Sequence, residues 1–460
     1  MSKICFIIPD GTGIRNYLYS GLPKKLIEQG CEIVLLHSIS QEALDEINSV
    51  NAVVFKAIKL PLFVESNYQK MIREIICYAR LLRNYRLTKN DSILTNWKPK
   101  KNTFKKKTFY NLVEFVGKKI SNNYPKILKY ELKYQISIEK NNIDFQNLLN
   151  EIKPDLVFST HQRSMNAIPI VVAAKSLKIK TVGAIFSWDN LPKARLSVRT
   201  DEYIVWSEYM KQELNVYYPE IKENEITVTG TPQFEFYYNK ENIYSKDVFY
   251  TKFNLDNTKK LICFSGDDEL TSPYDLEFLT DIVKLIITNK LNIQILLRRA
   301  PVDVSGRFDH IVNTYPEIVK SAPPLWNFDK NNLESWQTVY PTFEDIKLLI
   351  STAFHCEAVI NLGSTMAHDF AIFNKPAVYV NYNPVISKTW NVDTIYKFQH
   401  FRSMGDLKPV VWLNSRNEIS DILEKVLNNP TLDNEKWLSI ISENRENASE
   451  NIAKKLISCI

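Results

Sequence analysis

The sequence predicts an α/β protein made of two doubly wound sheets in series, and three observations predict it. Apolar runs of strand length alternate with helical runs from residue 3 onward, the pattern of parallel strands joined by covering helices. The alternation fades into "FEFYYNKENIYSKDVFYTKFNLDNTKK", residues 234 to 260, and then restarts. Glycines, hydroxyls and charges gather where the apolar runs stop, and those strand ends are where such sheets take ligands.

The elements follow in order. "KICFIIPD" reads as a buried strand, "LPKKLIEQG" as a helix closed by Gly30, and "CEIVLLHS" as the next strand. "PDLVFSTH", "AIPIVVAAKSLK", "KTVGAIFSWDN", "DEYIVWS", "EYMKQELNVYY" and "EITVTGTP" continue the alternation. Together they predict a first domain over 1–232 with a basic insert at about 97–134, followed by a connection over 233–259. The second block runs "KLICFSGDD", "LEFLTDIVKLIITN", "NIQILLRRAP", "FEDIKLLISTA", "EAVINLGS", "TMAHDFAIFN" and "KPAVYVNYN", which predicts a second domain over 260–432. The tail, 433–460, carries Trp437, Ile440, Ile441, Ile452 and Leu456 at mostly helical spacing.

At 460 residues, 45% hydrophobic and 24% charged, the chain has a soluble globular composition. No apolar run reaches the roughly 18 residues that span a bilayer. The stretch Ile4 to Ile8 is too short for a signal peptide, so a cytoplasmic protein is expected. Cys5, Cys31, Cys77, Cys263, Cys356 and Cys459 show no CxxC or Cys/His spacing, and reduced thiols are expected. The net charge of +6 is unevenly spread. From Lys98 to Lys133, eleven lysines stand against Glu114 and Glu131, interleaved with Phe104, Phe109, Tyr110, Leu112, Phe115 and Val116. That pattern is either a solvated face or a surface for peripheral docking on the anionic inner face of the plasma membrane. No nucleic-acid motif accompanies it, and no nucleic-acid partner is expected.

The strand ends carry the candidate chemistry. "PDGTGIRNY" lacks GxGxxG, and the second strand ends on His37-Ser38 rather than an acid, which argues against a nicotinamide cofactor. The loop instead offers Asp10, Gly11, Gly13 and Arg15, or is a glycine-assisted turn. "FSTHQRS" places His161 and Arg163 just past a strand, and "FSWDN" ends another in Trp188, Asp189 and Asn190. His161, Asp189 and Asp10, in that order, are the candidate bases, with Asp189 also able to cap a turn. In the second domain Gly266 follows a strand, and Arg298 and Arg299 end another on opposite faces. "INLGSTMAHDF" puts Gly363, Ser364 and Thr365 between a strand and a helix, either as a helix cap or as an anion site. Asp369 follows four residues later, placed for a ribose hydroxyl.

With "FSGDD", "ILLRR", "VTGTPQF" and "YPTFEDIKLLISTAFHCEAVINLGSTMAHDFAIFNKPAVYVNY", the chain resembles glycosyltransferases of the GT-B fold. "FSWDN", "VWSEYMKQEL" and "VTGTPQF" in series resemble bacterial surface-carbohydrate transferases of capsule and lipopolysaccharide synthesis. The resemblance implies two Rossmann-like domains facing across a cleft, with acceptor on the N-terminal one and nucleotide-sugar on the C-terminal one. It also implies a C-terminal helix returning to the first domain. Gly266, Arg298, Arg299, Gly363, Ser364, Thr365 and Asp369 would then hold the donor. Gly11, Gly13, Arg15, Arg163, Trp188 and Asn190 would hold the acceptor. The chain departs from the pattern in having no clear Glu-x7-Glu, which leans toward inversion, and no Asp-x-Asp, so neither metal nor cofactor is expected.

The expected activity is transfer of a sugar to a hydroxyl of a glycan or lipid-linked acceptor. The alternatives are a polyol-phosphate transferase with a CDP donor, a UDP-sugar 2-epimerase, and a non-catalytic glycan-binding protein. The epimerase would need several acids and a histidine around one sugar.

Overall fold

The computed structural model describes residues 2–328 and 339–460. It divides into two units. The first holds residues up to Gln233 with Lys397–His400 and Ile441–Ile460, and the second holds Phe234–Tyr396 and Phe401–Ile440.

The first unit runs β1 (Ser2–Ile8), α1 (Leu22–Glu28), β2 (Cys31–His37), α2 (Gln41–Asn51) and β3 (Lys56–Lys59). Four helices follow: α3 (Asn67–Thr88), α4 (Phe104–Ile120), α5 (Tyr124–Glu139) and α6 (Ile143–Ile152). Then come β4 (Leu156–Ser159), α7 (Ile168–Ser176), β5 (Lys180–Ala184), β6 (Glu202–Val205), α8 (Glu208–Tyr217) and β7 (Ile226–Val228). The strands form one parallel sheet in the order β3-β2-β1-β4-β5-β6-β7. β1 is buried from Ile4 through Ile8, as a parallel strand covered on both faces requires. Strand order reverses between β1 and β4, where Ile7 pairs with Ser159.

The helical insert is longer than the lysine-rich stretch. It begins with α3, whose mean hydropathy is too low to stand out by apolar spacing, because ion pairs replace part of its packing. Arg80, fully buried, donates from Nη2 to Glu131 Oε2 at 2.9 Å and from Nη1 to the Tyr217 carbonyl at 3.0 Å. Its guanidinium lies 4.3 Å from the Tyr218 ring centroid. Ile72, Ile75, Ile76, Val113, Ile127 and Tyr134 join Cys5, Ile7 and Val34 in one core, which fastens the insert to the sheet. Removing one partner of such a buried pair costs about 3–5 kcal/mol.

The second unit contains α9 (Lys246–Phe253), β8 (Lys260–Ser265), α10 (Asp275–Thr288), β9 (Ile293–Arg298), α11 (Asp309–Thr314) and β10 (Val319–Ser321). An antiparallel pair, β11 (Trp326–Phe328) and β12 (Val339–Pro341), precedes α12 (Phe343–His355), β13 (Val359–Asn361), α13 (Met366–Ala371) and β14 (Ala377–Val380). α14 (Val392–Tyr396), β15 (Val411–Leu413), α15 (Ile419–Leu427) and α16 (Asn434–Ile441) complete it. Its parallel sheet has the order β10-β9-β8-β13-β14-β15, reversing between β8 and β13.

The tail is two helices, broken at the polar run "SENREN". Trp437 on α16 stays in the second unit, its ring 4.3 Å from that of His368. The last helix, α17 (Ala448–Ile457), packs on α1 in the first unit, where Lys25 Nζ meets Glu450 at 2.8 Å. Gly230 of "VTGTP" has φ +80, and a Cβ there would strike the Glu443 carbonyl oxygen, so this glycine serves the tail's crossing. The six cysteines are unpaired, and five are buried. Among the described residues, no helix is long and apolar enough to cross a membrane.

Candidate functional site

In the first unit the site is built where β1 and β4 end, at the reversal of strand order. The loop after β1 turns at Asp10, whose Oδ1 accepts the Thr12 N–H at 3.1 Å and the Thr12 hydroxyl. The loop after β4 delivers His161, whose Nδ1 lies 2.8 Å from Asp10 Oδ2 and 2.9 Å from Thr12 Oγ1. Asp10 is fully buried, and burial alone would raise its pKa. The neighbouring His161 and the hydrogen bonds from His161 and Thr12 outweigh burial and hold it below the usual carboxylate value. An ionised carboxylate cannot donate, so the hydrogen bond between them is made by the His161 Nδ1–H. Nε2 has no hydrogen-bond partner among the described residues.

Gly13 makes this meeting possible. A Cβ there would strike Thr160 Oγ1, itself donating to the Ile7 carbonyl at 2.8 Å. The glycine serves a close approach of two loops rather than of an acceptor. A π-helical turn, Ile14–Leu18, follows it, a rare form frequent at functional sites. Gly11 is buried and its carbonyl accepts the Ile14 N–H at 3.2 Å, while Arg15 donates from Nε to Asn16 Oδ1 at 3.2 Å.

The loop after β5 is a second centre. Asp189 accepts from Ser187 Oγ at 2.7 Å, from Asn190 Nδ2 at 3.1 Å, and from Lys193 Nζ. Burial opposes its charge, but Lys193 and His400 outweigh burial and hold it far below the ordinary carboxylate range. A carboxylate so occupied is a poor base, so Asp189 is corrected to the organiser of this loop. Trp188, 5% exposed, packs edge-on against the His400 ring at 4.5 Å, and is a buried residue rather than a platform for an acceptor. Asn190 is spent likewise, taking Arg163 Nη1 at 3.1 Å. Burial pushes His400 down to about 4, with Lys193 adding and Asp189 opposing.

Sequence reasoning missed His400 and Glu213. Glu213, on α8, is buried with neither oxygen hydrogen-bonded, and burial with the charge of Asp189 pushes it up to about 8. His400 lies far along the chain from this loop and Glu213 on a separate helix, so neither had a local signal.

In the second unit the strand ends are largely committed to structure. Gly266 is held against Phe308, whose Cζ lies 2.8 Å from where a Cβ would stand. Gly363 has φ +71, and its Cβ position lies 2.9 Å from Phe401 Cζ. Both glycines admit aromatic rings where a Cβ would stand. Arg298, 5% exposed, is clamped by Asp345 at 3.0 and 2.9 Å, although its Nη1 makes no hydrogen bond among the described residues. Asp369 is buried and accepts the Tyr237 hydroxyl at 2.7 Å. Ser364 Oγ accepts the Met366 N–H at 3.3 Å in the turn that leads into α13, whose N-cap Thr365 makes no side-chain capping bond. Arg299, half-buried, and Thr365, exposed, have side chains without a hydrogen bond or ion pair among the described residues.

Arg307, which the sequence did not single out, locks the loop after β8. It donates to the carbonyls of Ser272 at 2.7 Å and Asp267 at 2.5 Å and to Asp303 at 2.8 Å. Burial, with the charges of Asp268 and Asp275, pushes Asp267 up to about 7. Among the described residues, no three His, Cys, Asp or Glu side chains gather as a metal-holding group.

Two parallel, doubly wound sheets in one chain match solved structures over their whole length. A putative UDP-N-acetylglucosamine 2-epimerase from Listeria monocytogenes aligns with a TM-score of 0.57 at 9% identity, covering 99% of this chain and 96% of that one. S. aureus MnaA in a co-structure with UDP aligns at 0.54 and 12% identity, covering 100% and 98%. The UDP-GlcNAc 2-epimerase from Methanocaldococcus jannaschii, in complex with UDP-GlcNAc and UDP, aligns at 0.53 and 11%, covering 99% of each. The fold is GT-B. No family model matches the chain, and no curated protein matches it. At these identities the likeness establishes the GT-B architecture, two Rossmann-like domains, and leaves the chemistry to the residues.

Proposed function

We propose that this GT-B protein transfers a sugar from a nucleotide-sugar donor to an acceptor hydroxyl, with inversion, using His161 as base. The observation that supports the reading is the Asp10–His161 pair at the reversal of strand order. Asp10 fixes the tautomer and stabilises the imidazolium that forms. The acceptor hydroxyl gives its proton to Nε2 as its oxygen attacks the anomeric carbon, and the bond to the diphosphate breaks with its electron pair leaving on the phosphate oxygen. Stabilising that departing charge calls for hydroxyls, N–H groups and a cation, for which Ser364, Thr365 and Arg299 are the candidates in the second unit. The acceptor class is a surface-glycan or lipid-linked hydroxyl.

A UDP-sugar 2-epimerase is the second reading, favoured by what the matched structures are. One oriented histidine suits proton removal from a hydroxyl better than the several acids an epimerase needs, since Asp10 and Asp189 are both held as ionised acceptors.

NMR of the purified protein with UDP-, GDP-, CDP-, CMP- and dTDP-sugars tests both. Transfer predicts nucleotide release that rises with added acceptor and a product of inverted anomeric configuration. Conversion of UDP-GlcNAc to its C2 epimer without acceptor would establish the second reading instead, and absence of binding and turnover with every donor would sink both.

A further inference from the structure

We propose that α4 docks the first unit on an anionic lipid surface, seating Phe104, Leu112 and Phe115 among the headgroups while flanking lysines meet lipid phosphates. The inference stands apart from the transfer reading, because it requires no reaction.

α4 begins at Phe104 because Thr103 caps it, accepting the Lys106 N–H at 3.3 Å. One side is buried through Val113, Gly117 and Ile120. Gly117 lets α4 approach α3 closely, since a Cβ there would lie 2.9 Å from Tyr78 Cδ1 and 3.2 Å from the Ile75 carbonyl oxygen. The helix is thereby fixed with one face toward the core and the opposite face outward.

At about 100° per residue, Phe104, Phe115 and Leu112 fall within an arc of roughly 80° on that outward face. They are 85%, 63% and 48% exposed. Lys107 and Lys118 border the arc on one flank and Lys105 on the other, with Lys119 inside it between Phe115 and Leu112. No salt bridge among the described residues holds any of these four lysines, and Lys119 Nζ rests 5.4 Å from the Phe115 ring centroid. Single exposed apolar side chains are ordinary on protein surfaces. Three aligned on one helix and bracketed by unpaired cations form the pattern of a helix that lies in a membrane interface. The next helix repeats it, since α5 exposes Leu132 and Ile136 at 56% and 42% beside Lys129 and Lys133.

The charges choose the occupant. A second copy of this chain would set lysines against lysines. A nucleic acid would meet a convex helix whose Phe104, Leu112 and Phe115 offer no hydrogen bond and whose Thr108 hydroxyl donates back to the Phe104 carbonyl at 3.1 Å. Anionic headgroups satisfy the lysines, and the acyl boundary takes the apolar centre.

The test is co-sedimentation of the full chain with vesicles of phosphatidylcholine alone and of phosphatidylcholine mixed equally with phosphatidylglycerol. Binding is expected only to the anionic vesicles. The double variant Lys105→Glu, Lys107→Glu should bind at least about tenfold more weakly, as two lysines near a charged surface imply. The double variant Phe104→Ser, Phe115→Ser keeps its net charge and should also weaken binding by about tenfold, losing what the wild type retains at raised salt. Both variants alter exposed side chains, and an unchanged melting temperature shows that they fold. The proposal is overturned if the wild type ignores anionic vesicles, if the phenylalanine variant binds like wild type, or if single-stranded RNA binds more tightly than the vesicles.

Discussion

The strand ends of the two units put similar residues to different uses. In the first unit, glycine permits two loops to meet, and the polar groups they carry form a pair with one valence left over, the His161 Nε2. In the second unit, glycines admit Phe308 and Phe401, Arg298 is clamped by Asp345, and Asp369 accepts Tyr237. Strand-end position alone therefore does not make a residue functional. What separates the cases is whether its hydrogen-bonding capacity is exhausted inside the fold.

The sharpest way to break this comparison is at the dyad. Removing the base in His161→Ala should lower turnover by about 10²–10⁴-fold, and because it strands the buried Asp10 it should also lower the melting temperature. The rate is measured as nucleotide release with the cognate donor, and a variant of wild-type activity would remove the transfer mechanism. Asp10→Asn comes next, with an expected loss on the order of 10²–10³-fold, because an amide can donate to Nδ1 and force the proton onto Nε2. Nitrogen NMR of the histidine reads the tautomer without any substrate. A proton that stays on Nδ1 in the variant would show that Asp10 does not orient the ring.

The second unit makes the opposite forecast at Gly363. Valine there meets Phe401 and requires a left-handed backbone, so Gly363→Val should destabilise the protein by about 2–3 kcal/mol, read by urea unfolding. If the variant keeps wild-type stability and loses only nucleotide binding, the glycine serves a ligand after all.

Glu213 tests whether a buried acid beside the organised Asp189 loop is held neutral. Its folded pKa of about 8 lies above the unfolded value near 4.5. The folded state thus holds a proton that the unfolded state has lost. The stability it contributes is full below about 4.5 and declines as pH rises toward 8, by up to roughly 1.4 kcal/mol per unit. Glu213→Gln should remove that slope and leave the variant about 2 kcal/mol more stable than wild type at pH 8. Parallel stability curves for the two proteins between pH 5 and 8 would mean that the acid is ionised and paired.

How far the sequence reached follows from the range of each signal. Both sheets were legible, because a parallel strand buried on two faces is a continuous apolar run, as in Ile4 to Ile8. His161 and Asp10 were legible as strand-end residues, but their pairing was not, since 151 positions separate them. α3 was not legible, because Arg80 is buried through Glu131 and Tyr218 rather than by apolar spacing. Asp189 carried a strand-end signal whose meaning depended on Lys193 four residues on and on His400, brought in from the far part of the chain. Local pattern locates elements and loops. It does not show which side chains have already been satisfied by a residue arriving from elsewhere.

The mildest forecast concerns the groups in the second unit that remain unspent. Arg299 follows Arg298 in sequence, yet strand alternation sends the two apart, and only Arg298 has Asp345. A guanidinium with no partner among the described residues, and an exposed hydroxyl at Thr365, suit an anion better than the clamped Arg298 does. Arg299→Ala should weaken nucleotide binding about tenfold, and Thr365→Ala a few-fold, as loss of one charge-assisted and one neutral hydrogen bond implies. Neither should shift the melting temperature, because neither side chain is bonded among the described residues. Arg298→Ala should do the reverse, lowering stability by about 3 kcal/mol through the stranded Asp345. Calorimetric titration and thermal melting on the three variants separate the roles, and an Arg299→Ala protein with wild-type affinity would leave the second unit with no identified cation for the departing diphosphate.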